Sequence, residues 1–283
     1  MANVGDLVDA RYTIVRPIGR GSMADVYEAR DENKDRLVAV KIMRRSVSQK
    51  PESLRRLQRE ARVQEMIEHR NVARLYGGGV TADNSPYLVM ELLRGHSLRS
   101  VIRNEGKVEP FRAASYCWQA LQGLTATHAV GVWHRDLKPA NLMLEPSPGP
   151  VERVILIDFG FAALEGGARL TMQGHVVGSL AYLAPERLLG EVGDERSDLY
   201  AIGVILYELL VGHRPFLADN DGDLIELHLD AKPTPPMEAD PSLEIPRALE
   251  AVVMRALGKT GDSRATSASH MAAELQEAAK TLG

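Results

Sequence analysis

Apolar and polar positions change their pattern about a third of the way along the chain. The first ninety residues read mainly as strands. Tyr12–Ile18 and Asp25–Arg30 flank a glycine-containing turn, Gly19–Gly21, and Arg36–Met43 is rich in Val and Ile. One helix interrupts them, from Glu52 to about His69, where good helix formers run without glycine or internal proline. Successive helical residues step by about 100°, so Leu57, Glu60, Gln64 and Ile67 share one face. Glu60 therefore points where the helix packs, an odd place for an acid. Strands resume at Val72–Val80 and Pro86–Leu92, joined by the turn Ala82–Ser85.

After Arg94-Gly95-His96 the pattern becomes helical. Ser97–Asn104, Pro110–Ala129, Ser197–Gly212, Asp223–Asp230, Arg247–Leu257 and Ser267–Leu282 fit helices by length and flanking breakers. The tract 130–196 between the second and third holds a hairpin, Leu142–Leu144 with Arg153–Ile157, closed by the loop Pro146–Pro150. Pro233-Thr234-Pro235-Pro236 reads as an exposed loop. Leu199–Gly212 is the longest greasy stretch; Glu208 breaks it and it is shorter than the ~18 residues of a spanning helix. It reads as a buried helix. The pattern predicts an α+β chain: a small β-rich unit, a linker near 91–95 and a larger helical unit.

Composition changes this picture little. The 283 residues suffice for two lobes with separate cores, and 45% hydrophobic with 25% charged residues is ordinary for a soluble globular protein. A net charge of −4 argues against a nucleic-acid partner. Phosphate must then be held by local features. The single cysteine, Cys117, lies in an apolar stretch and reads as core, which fits a reducing cytosol. The residues from Met1 to Asp6 lack the charged and apolar regions of a signal peptide, so the expected location is cytoplasmic.

Chemistry enters at four places. Gly19-Arg20-Gly21 with Val26 matches the start of a glycine-rich phosphate loop, with Ala24 in place of the third glycine. A plain hairpin turn fits as well, since chance supplies such a match about 0.2 times per chain of this size. Its position ahead of Val38-Ala39-Val40-Lys41 favours the phosphate loop. Lys41 alternates onto the face of Ala39, and an acid such as Glu60 could hold it toward phosphates.

The strongest signal is His134-Arg135-Asp136-Leu137-Lys138-Pro139-Ala140-Asn141. Five fixed residues at that spacing arise by chance in about one chain in ten thousand. An acceptor hydroxyl needs an oriented carboxylate, which suits Asp136. Transferred phosphate carries charge that the Lys138 ammonium can stabilise. Magnesium prefers oxygen ligands, and Asn141 offers a neutral one. Asp158-Phe159-Gly160 follows an apolar strand and supplies a second metal ligand. Ala184-Pro185-Glu186 then closes a long loop, 161–183.

Together, in this order, these motifs resemble the eukaryotic-like protein kinase family, in the flavour of its bacterial serine/threonine members. The resemblance covers about Tyr12 to Leu275. It implies a bilobal fold, with an N-lobe over 1–93, a C-lobe over 94–283 and an activation segment over 158–186. It also implies ATP with magnesium, or manganese, as cofactors and proteins as substrates. Gly19, Arg20, Gly21, Ser22, Met23 and Ala24 would form the phosphate loop. Val26 and Ala39 would lie above adenine and Met143 below it, with Met90 as gatekeeper and the Glu91 and Leu93 backbone on the adenine edge.

Lys41 would pair with Glu60, Asp136 would be the catalytic aspartate, and Asn141 and Asp158 would hold the metal. Lys138 would contact the γ-phosphate, Asp198 would anchor the catalytic loop, and Glu186 would pair with Arg264. Arg135 resembles that of kinases activated by loop phosphorylation, with Thr171 first and Ser179 second as candidate sites. Gln64 departs from the family pattern, which has an apolar residue bridging to Phe159. Other readings stay open: a nucleotide-binding scaffold, a small-molecule kinase, the cytoplasmic part of a longer membrane protein, and a homodimer for trans-autophosphorylation.

Overall fold

The computed structural model describes residues 2–21, 24–44, 61–159 and 180–282. The chain divides into two compact units, with the division in sequence between Arg94 and Gly95.

In the first unit β1 (Leu7–Val8), β2 (Tyr12–Arg20), β3 (Ala24–Asp31), β4 (Arg36–Met43), β5 (Leu75–Val80) and β6 (Pro86–Glu91) form one antiparallel sheet. Its strand order is β1-β2-β3-β4-β6-β5. The two-residue period separates its faces. On one face Val8, Tyr12, Ile14, Tyr27, Ala29, Val38, Val40, Tyr87 and Val89 bury one another. The register sets Val26 opposite Lys41 and Lys41 opposite Leu88, while Ala39 sits opposite Met90. Those residues share the other face. Leu88 on that face packs with Leu75, Ala61 and half-buried Met90.

Two expectations change here. The helix predicted to run to His69 ends sooner: residues 61–64 are helical, and 65–66 form a turn. The Met66 and Ile67 amides donate to Val63 and Gln64 carbonyls, three residues back, so the last turn tightens and stops. Gln64 and Ile67 are buried, as the predicted face requires. The strand expected from Val72 starts at Leu75, although Val72 and Ala73 are buried.

The second unit begins with Gly95, where any Cβ would collide with the Leu144 carbonyl. Strands β7 (His96–Ser97), β8 (Leu142–Glu145) and β9 (Arg153–Leu156) form a small antiparallel sheet containing the predicted hairpin. The helices are α1 (Leu98–Glu105), α2 (Pro110–His128), α3 (Pro185–Leu188), α4 (Glu195–Val211), α5 (Asp221–Asp230), α6 (Pro236–Ala239), α7 (Arg247–Ala256) and α8 (Ala268–Ala279).

Helix α4 is apolar nearly all round and buried along most of its length, with α2, α7 and α8 packed on it. It starts before the expected Ser197 because Asp194 caps it, accepting from the Arg196 amide at 2.8 Å. Gly203 lets α7 approach, since a Cβ there would meet the Ala256 Cβ at 2.7 Å. Cys117 on α2 is fully buried. The expected exposed proline loop is instead partly core: Pro233 and Pro236 are buried, and Pro236 opens α6. Proline at a first helical position already has the right φ and loses no hydrogen bond. Among the described residues no helix is long and apolar enough to cross a membrane.

Candidate active site

The loop 134–141 joins the end of α2 to β8, and its shape is set from below by α4. Asp198, on the first turn of α4, is buried and receives the His134 amide on Oδ2 and the Arg135 amide on Oδ1, each at 2.9 Å. The His128 Nε2 proton reaches Oδ2 at 2.8 Å. Burial pushes the Asp198 pKa up, but the His128 hydrogen bond, the nearby imidazoles and the amides outweigh it and hold the carboxyl below the ordinary range. A buried carboxylate thus stays charged because three donors share it.

His134 is also buried, and desolvation lowers its pKa, so the ring is neutral. Its Nε2 proton goes to the Ile157 carbonyl at 2.9 Å, and its ring packs on Phe159 with centroids 4.6 Å apart. The two segments are further tied by the Ile157 amide, which donates to the Asn141 carbonyl at 3.0 Å. Arg135 and Asp158 both adopt left-handed backbone, with φ of 67° and 64°. Neither is glycine, so each conformation is held against a local cost.

The chemistry-bearing side chains converge on this frame. Lys138 Nζ donates to Asp136 Oδ2 at 2.7 Å. Asn141 Nδ2 donates to the Asp136 carbonyl at 2.7 Å and to its Oδ2 at 3.3 Å. These bonds turn the amide nitrogen of Asn141 inward and leave its oxygen for a hard cation, and Asp158 follows the strand tied to Asn141. An amide oxygen and a carboxylate suit magnesium. Met143, on β8, is half-buried two residues beyond Asn141.

Glu186 and Arg264, far apart in sequence, form a two-pronged pair at 2.8 and 2.9 Å. The Arg264 side chain is fully buried and also donates to the Gly258 and Arg196 carbonyls. Burial would raise the Glu186 pKa; the hydrogen bonds of Arg264 and Ser197 lower it further than that.

In the first unit Lys41 and Ala39 are buried on the sheet face shared with Val26 and Met90. Gly19 pairs with Val26 across the β2–β3 turn, Arg20 with Asp25, and the Gly21 amide donates to the Ala24 carbonyl at 2.9 Å. The Glu91 amide is taken by the Arg74 carbonyl at 2.9 Å, and Leu93 is half-buried beyond β6. Ser22, Met23, Glu60, Thr171 and Ser179 lie outside the described residues, and with them the Lys41–Glu60 pairing.

Sequence reasoning missed His128, which completes the Asp198 cluster, and Ser197, whose hydroxyl donates to Glu186 at 2.7 Å. It also missed Lys259, which donates to the Leu227 and His228 carbonyls at 3.1 and 2.7 Å. Lone residues of common types carry no spacing signal.

Comparison with known proteins places these features in context. Residues 12–276 match the family described as protein kinase domain. The serine/threonine-protein kinase pkn3 of Myxococcus xanthus is 35% identical over 277 residues, covering 96% of this chain and 51% of its own length. PknB of Mycobacterium leprae is 34% identical over 269 residues, covering 94% of this chain and 42% of its own. The chain thus spans about half the length of the curated relatives it matches. The PknI kinase domain of Mycobacterium tuberculosis has a similar fold, with a TM-score of 0.77 over 99% of both chains at 24% identity.

Proposed function

The chain belongs to the protein kinase family, and from that membership we propose that it transfers the γ-phosphoryl group of ATP to serine or threonine hydroxyls of proteins. One observation carries the reading: the Asp136 carboxylate, fixed by Lys138 and Asn141 on a loop anchored to Asp198.

Phosphoryl transfer asks little covalent chemistry of the protein, so positioning and charge do the catalysis. Asp136 accepts the hydrogen bond of the incoming hydroxyl and takes its proton as the new phosphorus–oxygen bond forms and the bond from the γ-phosphorus to the bridging oxygen breaks, releasing ADP. Lys138 stabilises charge on the transferring group. Asn141 and Asp158 would hold magnesium, which would supply neutralisation of phosphate charge; manganese suits the same oxygens. In the first unit Gly19, Gly21 and Lys41 hold phosphates, and Val26, Ala39 and Met90 face adenine. Lys138-Pro139 and the names of the relatives support serine and threonine as acceptors. Thr171 and Ser179 are the proposed autophosphorylation sites.

The test is incubation with magnesium-ATP and a basic protein substrate, beside an Asp136→Asn control. Wild type should exceed the control by about 10²–10⁴-fold in kcat, with mass spectrometry finding phosphate on Thr171 or Ser179. Incorporation no higher than the control would leave a nucleotide-binding scaffold. Labelling of a metabolite without protein labelling would make it a small-molecule kinase.

A further inference from the structure

Helix α5 is fastened to its unit through few groups. Of Asp221–Asp230 only His228 is buried. The Tyr200 hydroxyl on α4 meets its Nδ1 at 2.7 Å, and the Phe216 ring stands edge-on to the imidazole with centroids 5.0 Å apart. Burial, with Lys259 and Arg214 nearby, takes the His228 pKa down to about 3, so this ring is neutral. The end of the helix is held by Lys259, in the bend after α7, whose Nζ donates to the Leu227 carbonyl at 3.1 Å and to the His228 carbonyl at 2.7 Å. Last-turn carbonyls carry the partial negative charge of a helix, which suits a cation. The same ammonium lies 4.3 Å from the centre of the Phe216 ring.

This is an unusual setting for a lysine. Among the described residues Lys259 forms no ion pair. Its side chain meets two uncharged carbonyls and an aromatic face, while the Arg264 guanidinium donates to its backbone carbonyl at 3.5 Å. Burial lowers the Lys259 pKa, Asp230 on α5 works against that and Arg264 adds to it, for a shift from an ordinary 10.5 to about 8. At pH 7.5 about a quarter of the side chain is then neutral amine, against about one part in a thousand for an ordinary lysine. Desolvation and a neighbouring cation are the two conditions that turn a lysine into a nucleophile. Lys259 is only half-buried, so a small reagent can reach it.

We propose that Lys259 is an acylation site, modified by small activated acyl donors, and that its acylation unlatches the end of α5. The neutral Nζ lone pair attacks the carbonyl carbon of an acyl phosphate or a thioester. A carbon–nitrogen bond forms and the carbon–oxygen or carbon–sulfur bond breaks. Phosphate or thiolate leaves with the electron pair, and an Nζ proton passes to water. The product amide has one N–H where the ammonium had three, and no charge. It can serve one of the two carbonyls and loses its attraction to the Phe216 ring, which leaves His228 as the buried anchor of the helix. The site shares no residue with the proposed phosphoryl-transfer machinery, and its test needs no kinase activity.

The full chain is incubated with acetyl phosphate and, in a separate arm, with acetyl-coenzyme A, from about pH 6.5 to pH 10. Peptide mass spectrometry then follows each lysine, with exposed Lys34 and Lys232 as references. At pH 7.5 Lys259 should label several times faster than either, since its lower basicity offsets only part of its gain in neutral amine. Its rate should level off above about pH 8 while the references keep rising. Labelling in either arm supports the site, and the arm that labels identifies the donor. Hydrogen exchange of the amides of residues 224–230 should quicken about tenfold in the acetylated chain and in Lys259→Gln. It should stay near wild type in Lys259→Arg, which keeps the charge and the donors. Melting curves verify that both variants fold. Labelling of Lys259 no faster than that of Lys34 and Lys232 in both arms would overturn the proposal. So would exchange in residues 224–230 that neither acetylation nor Lys259→Gln changes.

Discussion

Asp198 is a single carboxylate that fixes two consecutive backbone amides and one imidazole. Alanine in its place strands all three donors, the His134 amide in a buried site. The expected cost is about 3–5 kcal/mol, read by urea unfolding, and the Arg135 turn should loosen with it. His228 gives a pH signature. Burial pushes its pKa to about 3 from an ordinary 6.5. Between those values the unfolded chain binds a proton that the folded one refuses, so stability falls as pH drops from about 6.5 toward 3. A His228→Gln variant should therefore lose less melting temperature than wild type between pH 7 and pH 5. Residue placements were legible where motif spacing or the family resemblance carried them, the resemblance giving Asp198 beneath the loop and Glu186 with Arg264. Asp136, Lys138 and Asn141 stand at fixed intervals in one loop, whereas His128 is a lone histidine that meets Asp198 70 residues later.

Among elements, the Glu186–Arg264 pair joins α3 to the segment ahead of α8, and the guanidinium makes further bonds to the Gly258 and Arg196 carbonyls. Lysine keeps the charge but has no fork to serve these partners together. Arg264→Lys should cost about 1–3 kcal/mol, and the loss should show in denaturant unfolding rather than in the salt dependence of stability. Strand alternation and the apolar run of α4 were readable because each element has its own period. Helix ends were not. The stop after Gln64 is made by carbonyls three residues back, and the early start of α4 by the Asp194 cap. The buried Pro236 shows the same limit, because proline marks both loops and helix starts.

For the whole molecule, the proposed phosphate-holding residues lie on a sheet face of the first unit and the proposed proton acceptor on a loop of the second. Lys41→Met should therefore abolish phosphoryl transfer while leaving the Asp198 cluster and its unit folded, measured by radiolabel incorporation beside circular dichroism. Arg135 and Asp158 carry the last consequence. At both positions glycine would relax the left-handed backbone but give up the side chain's contacts, for Arg135 its packing over the Trp133 ring. On the kinase reading proposed above, Asp158→Gly should lose phosphoryl transfer far more than it changes melting temperature, read by radiolabel incorporation beside a thermal unfolding curve. Backbone cost at Asp158 would then be the stability this chain gives up to hold one carboxylate at the end of a strand.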